Sequence, residues 1–236
     1  MSRQTDLINY LFDNSSNFLA KELLEWIEGS PRFAAFAETY RDKIRKKIRV
    51  AKDSEGLLDL RGELEVAYRL LGDKRLEVEY EPYASGKGRG ADFAVNYRTN
   101  LKFNVEIARM HANELEFADT RRNEERVLRI VLEKLGQMQT NIPNLLMIHV
   151  HEKVAKEIEL GKLMQGIKNK ADRGGESFYA HSRYSKAAEF YKDFLRLSAI
   201  LFWEPRAQAW VNKQAKVALD EKVMRLVRTI AMNEKG

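Results

Sequence analysis

Two carboxylates stand where a short β-hairpin would bring them together. Asp92 lies in Gly90-Ala91-Asp92-Phe93 and Glu106 in Val105-Glu106-Ile107-Ala108. Each belongs to a short apolar run, 91–97 and 101–108, and only Arg98-Thr99-Asn100 separates the runs. Paired as a hairpin, they set the two acids facing each other across one end of a small sheet. Carboxylates held that close repel, and a divalent cation with oxygen ligands is the usual relief. The pattern points to a magnesium-type site, and with it to phosphodiester chemistry.

Other residues with chemical potential have plainer readings beside the functional ones. Gly86-Lys87-Gly88-Arg89-Gly90 borders Asp92 and suggests a phosphate cradle, yet it lacks the P-loop spacing and its Lys-Ser/Thr ending. It reads more simply as a basic turn permitting unusual backbone angles, with Lys87 and Arg89 placed to touch a nucleic-acid backbone. The stretch holding Arg41, Lys43, Arg45, Lys46, Lys47, Arg49 and Lys52 is either a solvated helix face or a phosphate-contacting arm; in the second reading Lys46 and Lys47 make contacts. His149 and His151 alternate onto one face of a strand, a spacing that metals use. Trp203 and Trp210 flank Glu204-Pro205-Arg206 and read as packing residues rather than base-stacking platforms. No Gly-x-Ser-x-Gly, Gly-x-Gly-x-x-Gly or His-Glu-x-x-His is present, so a serine hydrolase, a Rossmann dehydrogenase and a zincin have no support.

The elements that must position these residues follow from periodicity. Leu7 to Ile27 recurs at helical spacing with a break at Asp13–Ser16, Gly29-Ser30-Pro31 ends that section, and a second helix is predicted over 32–50. Leu57, Leu60, Leu64, Ala67, Leu70 and Leu71 mark an amphipathic helix closed by Gly72. Leu76, Val78 and Tyr80 alternate as a strand ended by Pro82, and the two acid-bearing strands come next. A long helix is predicted over 119–139, with Gln137 and Gln139 on its ridge, then a buried strand over 145–150. Helices over 152–170 and 185–191, a strand over 195–203 and a helix over 216–232 complete the chain. The expected fold is α/β, a mixed sheet flanked by helices, with an N-terminal helical segment (1–53) before an α/β domain (54–236).

The totals fit that picture. A chain of 236 residues with 44% hydrophobic and 32% charged residues can bury one sizeable core. No apolar run approaches membrane-spanning length and no secretory leader is evident, so a cytoplasmic protein is expected. The absence of cysteine excludes disulfides and thiolate chemistry. A net charge of +6 favours polyanionic partners.

The element order from residue 55 to about 215, with these acids on it, resembles the PD-(D/E)xK phosphodiesterase superfamily, the restriction-endonuclease-like fold. The resemblance implies a metal-dependent nuclease acting on nucleic acid, DNA being the expected form, with Mg²⁺ or Mn²⁺ as cofactor. Asp92 matches the second-strand aspartate, although Ala91 stands where the family usually has proline, and Glu106 matches the third-strand acid. The Ile107 backbone carbonyl would be a further metal ligand. Glu63 in Gly62-Glu63-Leu64-Glu65 matches the first-helix glutamate, with Glu65 its neighbouring candidate. The main departure is Ala108, where the family has lysine. Arg109 points to the opposite strand face, and Lys102 is on the right face but about 13 Å away at roughly 3.3 Å per residue. Lys134 on the following helix, Lys87 and Arg89 remain as relocated cations. The alternative is a catalytically silent module of the same fold that binds nucleic acid or a protein. The family also makes a homodimer an expectation.

Overall fold

The computed structural model describes residues 3–51, 53–83, 90–111, 119–173, 183–203 and 207–232. The chain divides into two compact units at Tyr80/Glu81.

The first unit contains α1 (Arg3–Phe12), α2 (Phe18–Gly29), α3 (Pro31–Thr39), α4 (Arg41–Val50), α5 (Ser54–Leu71) and β1 (Leu76–Tyr80). Asp13 and Asn14 take positive φ (52° and 60°) in the turn after α1, a conformation their short polar side chains tolerate. Asn17 then caps α2 by accepting from the Ala20 N–H at 2.9 Å. Ser30 ends α2 and caps α3, with Pro31 in the first turn where its missing N–H costs nothing. The single helix expected over 32–50 is two helices. Tyr40 leaves helical geometry (φ −105°, ψ 17°), and its ring packs on Phe36 at 4.9 Å and Tyr80 at 5.8 Å. Much of the basic run of α4 is drawn into holding this unit together. Arg45 and Arg49 both pair with Asp13, Lys47 pairs with Glu63, and Lys43 donates to the Tyr80 carbonyl.

The second unit contains β2 (Phe93–Tyr97), β3 (Leu101–Arg109), α6 (Thr120–Leu135), β4 (Asn144–His149), α7 (Glu152–Glu157), α8 (Leu160–Arg173), α9 (Ala187–Phe194), β5 (Leu197–Trp203), β6 (Ala209–Val211) and α10 (Glu221–Met232). Within this unit the strands follow the order β2-β3-β4-β5-β6 in a mixed sheet. β2–β3 and β5–β6 are antiparallel, β3–β4 and β4–β5 parallel. One face of the sheet carries the row Ala108, Ile148, Phe202 and the row Glu106, Leu146, Ile200. All but the glutamate of these pack into the apolar layer formed with Val127, Val131 and Leu135 of α6, Met164 and Ile167 of α8, and Phe190 and Phe194 of α9.

Several boundaries differ from expectation. α6 stops at Leu135 with Gly136 as its cap, so Gln137 and Gln139 lie beyond it; the Gln139 N–H donates to Asn144 Oδ1. The helix expected over 152–170 breaks at Ile158, whose extended backbone (φ −88°, ψ 121°) buries its side chain. The last helix begins at Glu221, because the segment before it is tied back by the Lys216 N–H to the Leu195 carbonyl. The short edge strand β6 was not expected from the sequence. Most of the 172–176 loop lies outside the described residues.

Candidate active site

The hairpin register pairs Phe93 with Val105, and carried one residue further it sets Asp92 opposite Glu106. Directly opposed residues of an antiparallel pair share a face, so the expected juxtaposition of the two acids is present. Arg98, with φ 56°, makes the turn that fixes this register. Asp92 sits just before β2, and its Oδ2 accepts the Ile107 N–H at 2.7 Å. Even-numbered residues of β3 direct their backbone groups toward β4, as in Asn104 N–H to the Pro143 carbonyl and Met110 N–H to the His149 carbonyl. Ile107, being odd, directs both its N–H and its C=O to the other side, where Asp92 stands.

Glu106 is almost wholly buried, its side chain 3% exposed, because its row on β3 runs into the apolar layer under α6. A carboxylate cannot sit in such a layer without a counter-charge. Lys134, in the last turn of α6, supplies it: Nζ lies 2.5 Å from Glu106 Oε1. Ala108, two residues further along the same strand face, packs against that same layer. An ammonium there would be desolvated among aliphatic side chains. The cation beside Glu106 comes from the helix above. A signal for it exists in the sequence, since Val127, Val131 and Lys134 fall at i, i+4 and i+7, putting a lysine on the stripe that must face the core.

Asp92, Glu106 and the Ile107 carbonyl belong to one end of the β2–β3 hairpin and are all oxygen donors, the chemistry that suits a hard divalent cation. Among the described residues no group of three or more histidine or acidic side chains gathers as a metal site, so any cation here would rest on two carboxylates and a carbonyl.

The remaining predicted residues divide as follows. Glu63 belongs to the first unit, where it is bound by Lys47 at 2.6 Å and by the Tyr80 hydroxyl at 2.7 Å. Glu65 is the more buried of the two and is held by Arg61 and Arg69. Lys47 is thus engaged with Glu63 and lies 4.9 Å from the Tyr80 ring, whereas Lys46 is exposed. Lys87 and Arg89 lie outside the described residues. Lys102 pairs across the hairpin with Asn96 at its far end, and Arg109 is in register with His149. The histidine pair does not share a strand face: β4 ends at His149, while His151 caps α7 by accepting the Lys153 N–H. Trp203 is buried near His149 and Trp210 lies 6.0 Å from Phe194, both packing positions.

What the fold and site define is a class: an α/β protein whose mixed sheet carries opposed carboxylates at a hairpin end, with a helix-borne lysine on one of them. Comparison with protein-family models, curated proteins and solved structures found no match. No helix among the described residues is long and apolar enough to cross a membrane.

Proposed function

We propose that this protein is a metal-dependent nuclease of the restriction-endonuclease-like kind, hydrolysing nucleic-acid phosphodiester bonds, with Lys134 in the role that Ala108 leaves empty. The observation that carries this reading is the Lys134–Glu106 contact beside an Asp92 already oriented by the Ile107 N–H. Asp92, Glu106 and the Ile107 carbonyl would hold Mg²⁺ or Mn²⁺. A cation held there activates water and offsets phosphate charge.

The chain's own residues have definite parts. The Ile107 N–H fixes one oxygen of Asp92 and so orients the other. Lys134 balances the Glu106 charge in a water-poor setting and presents N–H donors where an oxygen of the scissile phosphate gathers charge. Removing one such donor costs on the order of 3 kcal/mol, about a hundredfold in rate. Glu63, paired with Lys47, has no assigned step.

The test is cleavage of linear, circular and single-stranded DNA with Mg²⁺ or Mn²⁺. Asp92→Ala and Glu106→Ala should abolish cutting, and Lys134→Ala should lower it about a hundredfold. A second reading rests on the same ion pair. Because Lys134 already neutralises Glu106 directly, the fold also suits a silent nucleic-acid-binding module. Absence of cutting, with DNA binding that survives Asp92→Ala, selects that reading.

A further inference from the structure

The basic excess of this chain is not where the sequence's densest basic stretch lies. Residues 1–80 carry 14 basic and 15 acidic side chains, whereas residues 81–236 carry 27 and 20, so the whole positive excess belongs to the second unit. Within that unit it concentrates on α8 and α9 with the segment leading into α9. Residues 160–173 and 183–196 together hold eight basic side chains against three acidic ones.

These cations are joined to Lys134 through a chain of contacts. The guanidinium of Arg183 lies on the open face of Gly136, the cap of α6 two residues beyond Lys134; a Cβ at Gly136 would fall 1.4 Å from its Nη1. Tyr184, buried, anchors this segment edge-on to Phe190 at 5.7 Å. Tyr191, the next residue of α9, donates its hydroxyl to Asp172 Oδ1 at 2.7 Å and so fastens α9 to the C-terminal turn of α8. That turn bears Lys170 and Arg173, with Lys168 just before it, and Lys186 stands at the start of α9. Of these cations Lys168 is half-buried, while Lys170, Arg173, Arg183 and Lys186 are exposed. All three acids nearby are already engaged: Asp172 by the Tyr191 hydroxyl, Glu189 by the N–H and hydroxyl of Ser185, and Asp193 by the Tyr184 hydroxyl and Arg196.

We infer that Lys168, Lys170, Arg173, Arg183 and Lys186 form a track for a nucleic-acid phosphate backbone, leading along the helical layer to Lys134 and the carboxylate pair. This rests on the nuclease-like reading for its partner and assigns the backbone contact to the second unit rather than to α4. Lysines and arginines at spaced positions, four of these five exposed, match a repeating phosphate charge, and binding of that kind proceeds by counterion release.

The test measures binding of the full chain to a fluorescent 30-bp DNA duplex, in EDTA, across a salt series. In Lys168→Gln/Lys170→Gln/Arg173→Gln and in Arg183→Gln/Lys186→Gln, affinity should fall and the slope of log K against log salt should become shallower by about 1 for each phosphate no longer neutralised. Lys46→Gln, on α4, should keep the wild-type slope. Wild-type slopes in both track variants, an equal loss in Lys46→Gln, or no duplex binding by the wild-type chain would each overturn the assignment. These side chains are surface groups, so circular dichroism of each variant should match the wild type. Because binding is read without metal, it is scored separately from the fate of the catalytic reading in the cleavage assay.

Discussion

Lys134→Met is the sharpest probe of the site. The substitution keeps a long unbranched chain against the apolar layer and removes only the ammonium that lies 2.5 Å from Glu106 Oε1. Glu106 is 3% exposed and would be left as a buried charge without its ion pair, a change that costs about 3–5 kcal/mol. Lys134 is about a quarter exposed, so water can enter where it stood and the lower end of that range is expected. With a urea slope of about 2 kcal/mol per molar, the midpoint should fall by roughly 1.5 M. Equilibrium urea denaturation at neutral pH reads this directly. Glu106→Gln/Lys134→Met should recover most of the loss, because the orphaned charge is gone. Added Mg²⁺ should also restore part of the midpoint of the single variant, since a cation on Asp92 and Glu106 replaces the missing charge and stabilises by mass action. A midpoint shift below about 0.5 M, which at that slope is about 1 kcal/mol, would refute the buried ion pair. A double variant no more stable than the single one would refute the coupling.

Three further outcomes follow from other parts of the structure. Hydrogen bonds from Arg49 and Arg45 hold the Asp13 carboxyl at about 2, well below the usual carboxylate range. A carboxyl depressed on folding contributes stability above its unfolded pKa near 4 and loses it as pH falls toward 2; urea midpoints between pH 5 and 2 should therefore decline less steeply in Asp13→Asn, which also tolerates the positive φ. Asn144 is buried, and the two hydrogens of its Nδ2 are shared among the carbonyls of Gln139, Ile142 and Arg196. Asn144→Ala should cost on the order of 3 kcal/mol by leaving buried acceptors unpaired, read as a lowered melting temperature. Gly136→Ala should leave the melting temperature within about 2 °C, since Gly136 is helical and its obstacle is the end of a flexible Arg183 side chain, yet weaken duplex binding by displacing that guanidinium.

Much of this organisation was legible in the chain itself. Hydrophobic period placed the acid-bearing strands and the helices on either side of them, because burial of one face imposes periods of 2 and 3.6 regardless of the rest of the chain. The turn Arg98-Thr99-Asn100 was enough to put Asp92 across from Glu106, since register in a hairpin is set locally. The splitting of the helices at Tyr40 and Ile158 was not legible, because each break serves a packing contact: the Tyr40 ring on Phe36 and Tyr80, and the buried Ile158 side chain. The basic run of α4 read as a surface feature, yet Asp13, Glu63 and the Tyr80 carbonyl claim most of it, partners 16 to 37 residues away along the chain.

The carboxylate pair is therefore the contribution of sequence alone: residue types, alternation and a short turn determine it. The cation is not. Lys134 is 28 residues from Glu106, and only the docking of α6 on the sheet decides that its last turn ends over β3. Arg183 over Gly136 is likewise a product of the tertiary fold, joining two segments whose proximity depends on how α6, α8 and α9 share one apolar layer. Local patterns encode which residues face a core, but which charged group from another element meets them is settled by packing, where burying an unpaired charge is too costly to leave standing.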